Sequence, residues 1–136
     1  MEEHGDGRNE YRVVAELSRQ FYYHGHGNKY RAEKVTVDGK TFDSRREAKR
    51  YAELALLQKA GAIRDLECQK RYRLIPTQRK DGKVVERPVD YVADFVYIDT
   101  TTGALVVEDT KGFKTKDYII KRKLMLQVYG VQIREV

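Results

Sequence analysis

The stretch from residue 92 to residue 111 constrains the fold most, because it reads as two apolar strands joined by a turn. Its sequence is V-A-D-F-V-Y-I-D-T-T-T-G-A-L-V-V-E-D-T-K. The polar and glycine residues of Thr100–Gly103 favour a turn, and β-branched and aromatic residues dominate on both sides of it. We therefore predict two adjoining strands here, and we expect the rest of the chain to be built around them.

Three charged side chains of this hairpin are expected to meet. Asp109 and Lys111 are two residues apart and share one face of a strand, whereas Glu108 points to the other face. Asp94 lies near the end of the preceding strand, which would bring its carboxylate beside that of Asp109. Two carboxylates and a lysine in this arrangement are typical of a site that holds a divalent metal against a phosphate.

This pattern predicts a role for each residue in the hydrolysis of a phosphodiester. Asp94 and Asp109 are the candidate ligands of Mg²⁺, which takes few protein ligands and keeps several waters. The main-chain carbonyl of Thr110 is a further candidate ligand. Lys111 would orient or help to deprotonate the attacking water and would balance charge on the phosphate. Glu47 is a candidate third carboxylate, which would either bind the metal or bind a water on the metal.

Ordinary structural roles compete with these assignments. Asp94 would suit a salt bridge at the end of its strand, and Asp109 with Lys111 would suit a simple ion pair. Glu47 is equally well explained as part of a capping box that begins with Ser44. Two further residues are accessory candidates only, and both have a plainer structural explanation: Gln69 and Glu108.

Composition favours a polyanionic partner without requiring one. The 136 residues carry 27 Lys and Arg against 21 Asp and Glu, a formal net charge of +6. Basic side chains neutralise phosphates and release counterions, although a soluble protein can be basic for other reasons. Cys68 is the only cysteine, which excludes an internal disulfide and fits a reducing cytoplasm. No run of about 18 apolar residues occurs, so we expect no membrane span, and the polar N-terminus does not resemble a secretory signal.

The order of predicted elements indicates an α/β fold. Residues 1–28 are expected to be an appendage that is partly disordered and contains a short helix over 10–23. His24 and His26 are expected to lie in a solvated loop, and a zinc site formed by them is the weaker interpretation. The domain of residues 29–136 begins with a small hairpin turning at Asp38-Gly39. A helix from Ser44 to Gly61, a connector at 63–67 and strands over 69–76, 87–97 and 105–111 then follow, before a helix over 117–129 and a final strand over 131–136.

These elements predict a mixed β-sheet flanked by helices. Leaving the small hairpin aside, the order is helix, three strands, helix, strand, and a helix that joins two strands favours a crossover connection. On the second helix we expect Ile120, Leu124 and Val128 to face inward. The basic residues form two clusters that flank the acidic centre, which favours contacts with the DNA backbone rather than with bases. They are Lys29, Arg31, Lys34, Arg45, Arg46 and Lys49 in one cluster, and Lys114, Lys116, Lys121 and Arg122 in the other.

Four motifs make the chain resemble a known family. The motifs are K-Y-R-A-E-K-V-T-V-D-G-K-T-F-D-S-R-R-E-A at 29–48, L-Q-K-A-G-A-I at 57–63, Y-V-A-D-F-V-Y at 91–97 and V-V-E-D-T-K-G-F-K-T at 106–115. Over residues 29–136 the chain resembles a family of small phage and prophage proteins that looks like a branch of the PD-(D/E)XK nuclease superfamily. The resemblance implies a restriction-endonuclease-like core of the order αβββαβ.

The resemblance also implies an activity and a set of site residues. Asp94 matches the aspartate of the PD element, with Ala93 where the motif has proline, and Asp109 and Lys111 match the (D/E)XK element. Glu47 matches the glutamate that many members carry on the first helix. The expected function is a Mg²⁺-dependent DNA endonuclease, with Mn²⁺ able to substitute, acting in phage recombination or replication in the cytoplasm of a bacterial host. Branched DNA or a Holliday junction is the expected substrate, and a homodimer would suit junction resolution. The alternative is a non-catalytic DNA-binding module that keeps the nuclease scaffold.

Overall fold

Residues 34–136 are described by a computed structural model, and they form a mixed α/β structure of eight strands and two helices. The chain divides after Ala62 into two compact units. The α/β class agrees with the expectation from sequence. The expected helix over 10–23, His24 and His26 lie outside the described residues.

The N-terminal unit contains a short hairpin followed by a helix. Strands β1 (Val35–Val37) and β2 (Lys40–Phe42) pair antiparallel. The predicted turn lies between them, and both of its residues, Asp38 and Gly39, have a positive φ, of 50° and 76°. Such a turn matches the right-handed twist of the two strands.

Helix α1 (Arg45–Lys59) begins where the capping pattern predicts. The Ser44 side chain accepts a hydrogen bond from the N–H of Glu47 at 3.1 Å, which satisfies one of the free donors of the first turn. Ala55 and Leu56 are only half-buried. The buried residues of α1 are Glu47, Ala48, Tyr51, Ala52 and Leu54.

A four-stranded sheet organises the C-terminal unit. Its strands are β3 (Ile63–Ile75), β6 (Val89–Asp99), β7 (Leu105–Asp109) and β8 (Arg134–Glu135), in that spatial order. The first three pair antiparallel, and β8 pairs parallel with β7.

The expected connector at 63–67 is wrong, because these residues form the start of β3. The pairing of β3 with β6 shifts register between Arg64 and Glu67, and Asp65 has a φ of +56°. A bulge of this kind inserts an unpaired residue and interrupts the alternation of faces. The alternation from which strands are recognised is therefore lost over these residues.

A second small hairpin separates β3 from β6. Its strands are β4 (Gln78–Lys80) and β5 (Lys83–Glu86), which form a sheet of their own. A turn at Asp81-Gly82 joins them, with φ values of 53° and 76°.

Helix α2 (Lys116–Tyr129) provides the predicted crossover between β7 and β8. The Thr115 side chain caps it by accepting a hydrogen bond from the N–H of Tyr118 at 3.1 Å. Gly130 ends it in the left-handed conformation, with a φ of +69°, which glycine adopts without the steric penalty of a Cβ.

The expected inward face of α2 is wrong in two of its three residues. Ile120 and Val128 are exposed, and Tyr118 and Met125 are the buried residues of the helix. Both sets have helical spacing, so periodicity alone does not choose between them. Packing against β3 and β6 makes the choice.

The core of the C-terminal unit lies between α2 and the sheet. Met125, Ala93 and Val107 are almost completely inaccessible at its centre. No helix within residues 34–136 is both long and apolar enough to cross a membrane. The buried cluster consists of Leu74, Tyr91, Ala93, Val96, Val107, Tyr118, Met125 and Ile133.

Candidate active site

The register of β6 against β7 brings two carboxylates together. Val96 and Val107 are direct partners in this antiparallel pair. Asp94 and Asp109 stand two residues further along the two strands, on the same face and opposite one another. The two carboxyl groups are close enough for the charge of Asp109 to raise the pKa of Asp94. The structure therefore places the two acids side by side at the end of the β6–β7 pair.

Asp109 is buried, and its two carboxylate oxygens have different surroundings. The side chain is 2% exposed. The Tyr91 hydroxyl donates a hydrogen bond to Oδ2 at 2.6 Å. Lys111 Nζ lies 3.0 Å from Oδ1, but this ion pair lacks hydrogen-bond geometry, so among the described residues Oδ1 has no hydrogen-bond donor. A buried carboxylate is costly unless a cation balances it, and the Lys111 ammonium is the cation that does so here.

Asp94 is held mainly by one neighbour, Thr110. The N–H and the hydroxyl of Thr110 both donate to Asp94 Oδ2, at 2.8 and 2.7 Å. Gln69 Nε2 is 3.4 Å from the other oxygen, Oδ1, which is a long contact for a hydrogen bond. One oxygen is therefore anchored and the other is only weakly held.

The pKa of the Asp94 carboxyl is raised above its ordinary value. Burial is the main cause, because it disfavours the charged form. The two hydrogen bonds from Thr110 act in the opposite direction, and the negative charge of Asp109 raises the pKa further. The pair of acids therefore carries repulsion that a bound cation would relieve.

Lys111 lies just beyond the end of β7, which was expected to extend to this residue but stops at Asp109. Its ammonium group lies 4.4 Å from the centroid of the Tyr118 ring and 3.0 Å from Asp109 Oδ1. A cation over the face of an aromatic ring is attracted by the ring quadrupole. The ammonium is therefore held between a carboxylate and a ring, without being part of the strand.

A second charged group lies on the neighbouring strand. Glu135 of β8 is the backbone partner of Asp109. Its carboxylate binds Lys114 Nζ at 2.6 Å and Arg122 at 2.8 Å. Lys114 first and then Arg122 lower the pKa of this carboxyl through hydrogen bonds. Two of the cations that were expected to contact DNA thus have an acidic partner in the protein.

Comparison with family models assigns the chain to a described family. Residues 27–135 match the model of the family described as "Protein of unknown function (DUF1064)". The chain belongs to this family. No curated protein and no solved structure matches the chain significantly. The DUF1064 match spans every site residue named from the sequence.

The other site residues expected from the sequence have separate surroundings. Glu47 belongs to the N-terminal unit, where its N–H is capped by Ser44 and its side chain is buried. Glu108 is fully buried and accepts a hydrogen bond from the Tyr97 hydroxyl. Its partner across the strands is Phe95, so it lies on the face opposite Asp109, as the pleat predicts.

The basic residues differ in how far they are available to a ligand. Lys29 and Arg31 lie outside the described residues. Arg45, Lys121 and Arg122 are half-buried. The remaining cations of the two clusters are exposed: Lys34, Arg46, Lys49, Lys114 and Lys116.

The donor set for a metal consists of carboxylates from two strands. Among residues 34–136, no cluster of three or more His, Cys, Asp or Glu side chains is arranged to hold a metal ion. Asp94 and Asp109 together offer one weakly held oxygen and one buried oxygen without a donor. Hard oxygen donors of this kind suit Mg²⁺, which needs only one or two protein carboxylates.

Three residues of the site were not identified in these roles from the sequence. No site role was predicted for Tyr91 or Tyr118, whereas their side chains contact Asp109 and Lys111. Thr110 was named for its carbonyl, whereas its N–H and hydroxyl bind Asp94. Sequence spacing carries no signal for Tyr91 or Tyr118, but the hydroxyl of Thr110, directly beside Asp109, was visible as a possible donor.

Proposed function

We propose that the chain is a divalent-metal-dependent endonuclease that hydrolyses phosphodiester bonds in DNA. One observation carries the proposal: the register of β6 and β7 brings Asp94 beside buried Asp109, and the Lys111 ammonium lies 3.0 Å from Asp109 Oδ1. A structural ion pair alone would not require the second carboxylate, which raises the energy of the site. The arrangement is better explained by a cation that binds between the acids.

Asp94 and Asp109 would hold Mg²⁺ or Mn²⁺, with the Thr110 carbonyl as a further ligand. When bound, the metal polarises the phosphate and lowers the pKa of a coordinated water. The chain's own residues prepare the ligands. Tyr91 orients Asp109 through Oδ2, and Thr110 orients Asp94 through Oδ2. In each acid the cation would bind the other oxygen, which lies 3.4 Å from Gln69 Nε2 in Asp94 and 3.0 Å from Lys111 Nζ in Asp109.

Lys111 would act on the phosphate and on the attacking water. Its ammonium is held beside the acids by Asp109 and by the Tyr118 ring, so its position does not depend on the substrate. A positive charge in this position stabilises the negative charge that develops on the phosphate oxygens. The side chain is 28% exposed, which leaves it accessible to a ligand.

The topology supports a restriction-endonuclease-like core. Leaving aside the β1–β2 and β4–β5 hairpins, the order is α1, β3, β6, β7, α2 and β8. This is the αβββαβ order that the nuclease resemblance implies. The two acids come from the second and third strands of that order, as the PD and (D/E)XK elements require.

DNA is the favoured substrate because of the charge around the acids. The net charge is +6, and Lys114 and Lys116 follow the site in the chain, of which Lys114 is paired with Glu135 and Lys116 is exposed. We propose that the substrate is branched DNA that arises in phage recombination or replication. The proposed place of cleavage is the cytoplasm of the bacterial host. Symmetric cleavage of a junction would require a homodimer.

The test is a cleavage assay on supercoiled plasmid with Mg²⁺, Mn²⁺ or EDTA. We expect cleavage with either metal and none with EDTA. Asp109→Asn should abolish cleavage, and Lys111→Ala should reduce its rate by roughly 100- to 1000-fold, the usual effect of removing one group that stabilises developing charge. The matched controls are Glu86→Gln and Lys80→Ala, which change an exposed acid and an exposed lysine of the β4–β5 hairpin.

Binding measurements separate the enzyme from its alternative. Loss of cleavage with unchanged DNA affinity in Asp109→Asn would support the nuclease. A wild-type protein that binds DNA and does not cleave plasmid, flapped or four-way DNA with either metal would contradict it. That result would favour a non-catalytic DNA-binding module.

A further inference from the structure

The segment that joins β7 to α2 presents a bare aromatic ring beside the candidate site. Phe113 is 82% exposed, more than any other large apolar side chain among the described residues. It stands two residues after Lys111 and two before the helix cap Thr115. A ring with this exposure contributes little to the stability of the folded state, because apolar side chains stabilise that state only when they are buried.

The surroundings of Phe113 in the chain are cationic. Lys111, Lys114 and Lys116 all lie within three residues of it, and of these Lys111 is paired with Asp109 and Lys114 with Glu135. Lys116 is exposed, and we find no ion pair for it within residues 34–136. Exposed aromatic rings interspersed with cations are typical of surfaces that bind single-stranded nucleic acid.

Helix α2 offers a competing explanation, namely an apolar surface for a protein partner. Ile120, Leu126 and Val128 on this helix are exposed by 57%, 55% and 50%. Nothing in the structure indicates what would cover them. Phe113 differs because its neighbours in sequence are lysines, so charge complementarity identifies a polyanion as its partner.

We propose that Phe113 stacks on an unpaired base of the DNA, so that the preferred substrates carry single-stranded nucleotides next to the cleaved bond. This inference rests on the proposed nuclease function and names its substrate class. The bases of an intact duplex are already stacked on one another, and extruding one costs free energy. Flaps, gaps and junctions supply unpaired bases without that cost.

The lysines and the Phe113 ring would bind different parts of the DNA. Cations contact phosphates regardless of base pairing, whereas the ring contacts only a base that has left the helix. Removing the ring should therefore weaken binding to single-stranded and branched DNA and leave blunt duplex binding unchanged. Removing Lys116 should weaken binding to all of them.

A fluorescence experiment tests the stacking directly. The chain contains no tryptophan, so Phe113→Trp would introduce a single indole at this position. We expect its emission to be quenched by a single-stranded oligonucleotide in EDTA and to change little with a blunt duplex of the same sequence. The control is Val84→Trp on the β4–β5 hairpin, at a residue that is 49% exposed.

An affinity series provides the second measurement. Phe113→Ala should weaken binding to single-stranded DNA by about 5- to 150-fold, the range found for one stacked base, and Phe113→Tyr should restore it. Val85→Ala, at a residue that is 58% exposed, should have no effect. Equal affinities of wild type and Phe113→Ala for single-stranded DNA, or equal quenching of both tryptophans, would overturn the proposal.

The outcomes distinguish this inference from the nuclease itself. A wild type that cleaves plasmid, together with a Phe113→Trp protein that binds single-stranded DNA without quenching, would overturn stacking and leave the nuclease standing. Quenching specific to Phe113→Trp, without cleavage in either metal, would overturn the nuclease and leave the base-stacking site standing.

Discussion

The Tyr91 hydroxyl donates a 2.6 Å hydrogen bond to Asp109 Oδ2, and both side chains are buried. Burial first, and then this contact with the carboxylate, raise the pKa of Tyr91 far above its ordinary value. The phenol is therefore a permanent donor, and it sets the orientation of the acid. The oxygen that it leaves without a hydrogen bond, Oδ1, is the one that faces Lys111.

Tyr91→Phe should lower both the stability and the activity of the protein. The change leaves a buried carboxylate oxygen without a donor, and we expect a loss of about 1–3 kcal/mol in the free energy of unfolding. Urea denaturation measures it. The matched control is Tyr72→Phe, because the Tyr72 hydroxyl has no hydrogen-bond partner within residues 34–136 and its removal should change the stability little. Equal losses in the two variants would contradict the role of the Tyr91–Asp109 bond.

Asp94→Asn should stabilise the protein at neutral pH while it abolishes cleavage. The pKa of Asp94 is raised in the folded state, mainly by burial and further by Asp109. The folded protein therefore binds this proton more tightly than the unfolded chain does. The contribution of the Asp94 carboxyl to the free energy of unfolding is complete below its ordinary pKa. This contribution is lost as the pH rises through the pKa that the carboxyl has in the folded state.

Asparagine removes this loss, because it stays neutral and still offers an oxygen to Thr110. The urea midpoint of Asp94→Asn should exceed that of the wild type at pH 8, and the difference should shrink near pH 4. Both are measured in EDTA, since a bound metal would stabilise the wild type. A midpoint below the wild type at pH 8 would show that the ionised Asp94 carboxylate does not destabilise the folded state.

Thr110→Val should shift the pH dependence of cleavage. The variant keeps the N–H that donates to Asp94 and loses the hydroxyl that donates to the same oxygen. The two hydrogen bonds from Thr110 lower the pKa of Asp94, so the loss of one of them raises that pKa. A higher pH is then needed to ionise Asp94. The acid limb of kcat/KM, which reports the free enzyme, should move to higher pH. Thr110→Ser keeps the hydroxyl and should leave the limb where it is, so an equal shift in both variants would count against this role.

Tyr118→Leu should reduce cleavage through Lys111. The ring face holds the ammonium at 4.4 Å from its centroid, and a contact of this kind contributes roughly 0.5–2 kcal/mol. A decrease in kcat of roughly 2- to 30-fold follows from that energy, with KM little changed. Tyr118→Phe keeps the ring and should retain the rate.

The control for Tyr118→Leu is another core change on α2. Met125→Leu alters a residue of the same helix that is fully buried. If Met125→Leu lowers kcat as much as Tyr118→Leu does, the effect is one of helix packing, and the positioning of Lys111 by the ring is excluded. Thermal denaturation of both variants establishes that they are folded at the assay temperature.

Local features of the fold were predictable because local interactions produce them. The Asp38-Gly39 turn follows from positive φ values that these residues tolerate. The start of α1 follows from the Ser44 cap, and the crossover follows from the order of β7, α2 and β8. The meeting of Asp94 with Asp109 was predictable for a similar reason, since a tight turn sets the register of the two strands it joins.

Tertiary packing alone decided the rest. The bulge near Asp65 hid the start of β3, since a pattern of period two does not survive an inserted residue. The sequence of α2 contains two stripes at helical spacing, and only contact with the sheet selected Met125 over Ile120 for burial. The partners of the two acids, Tyr91 and Thr110, were set by three-dimensional proximity. The sequence by itself determined which groups carry the charge, and the folded structure determined which oxygen of each acid remains available, because hydrogen-bond partners are chosen by position in space.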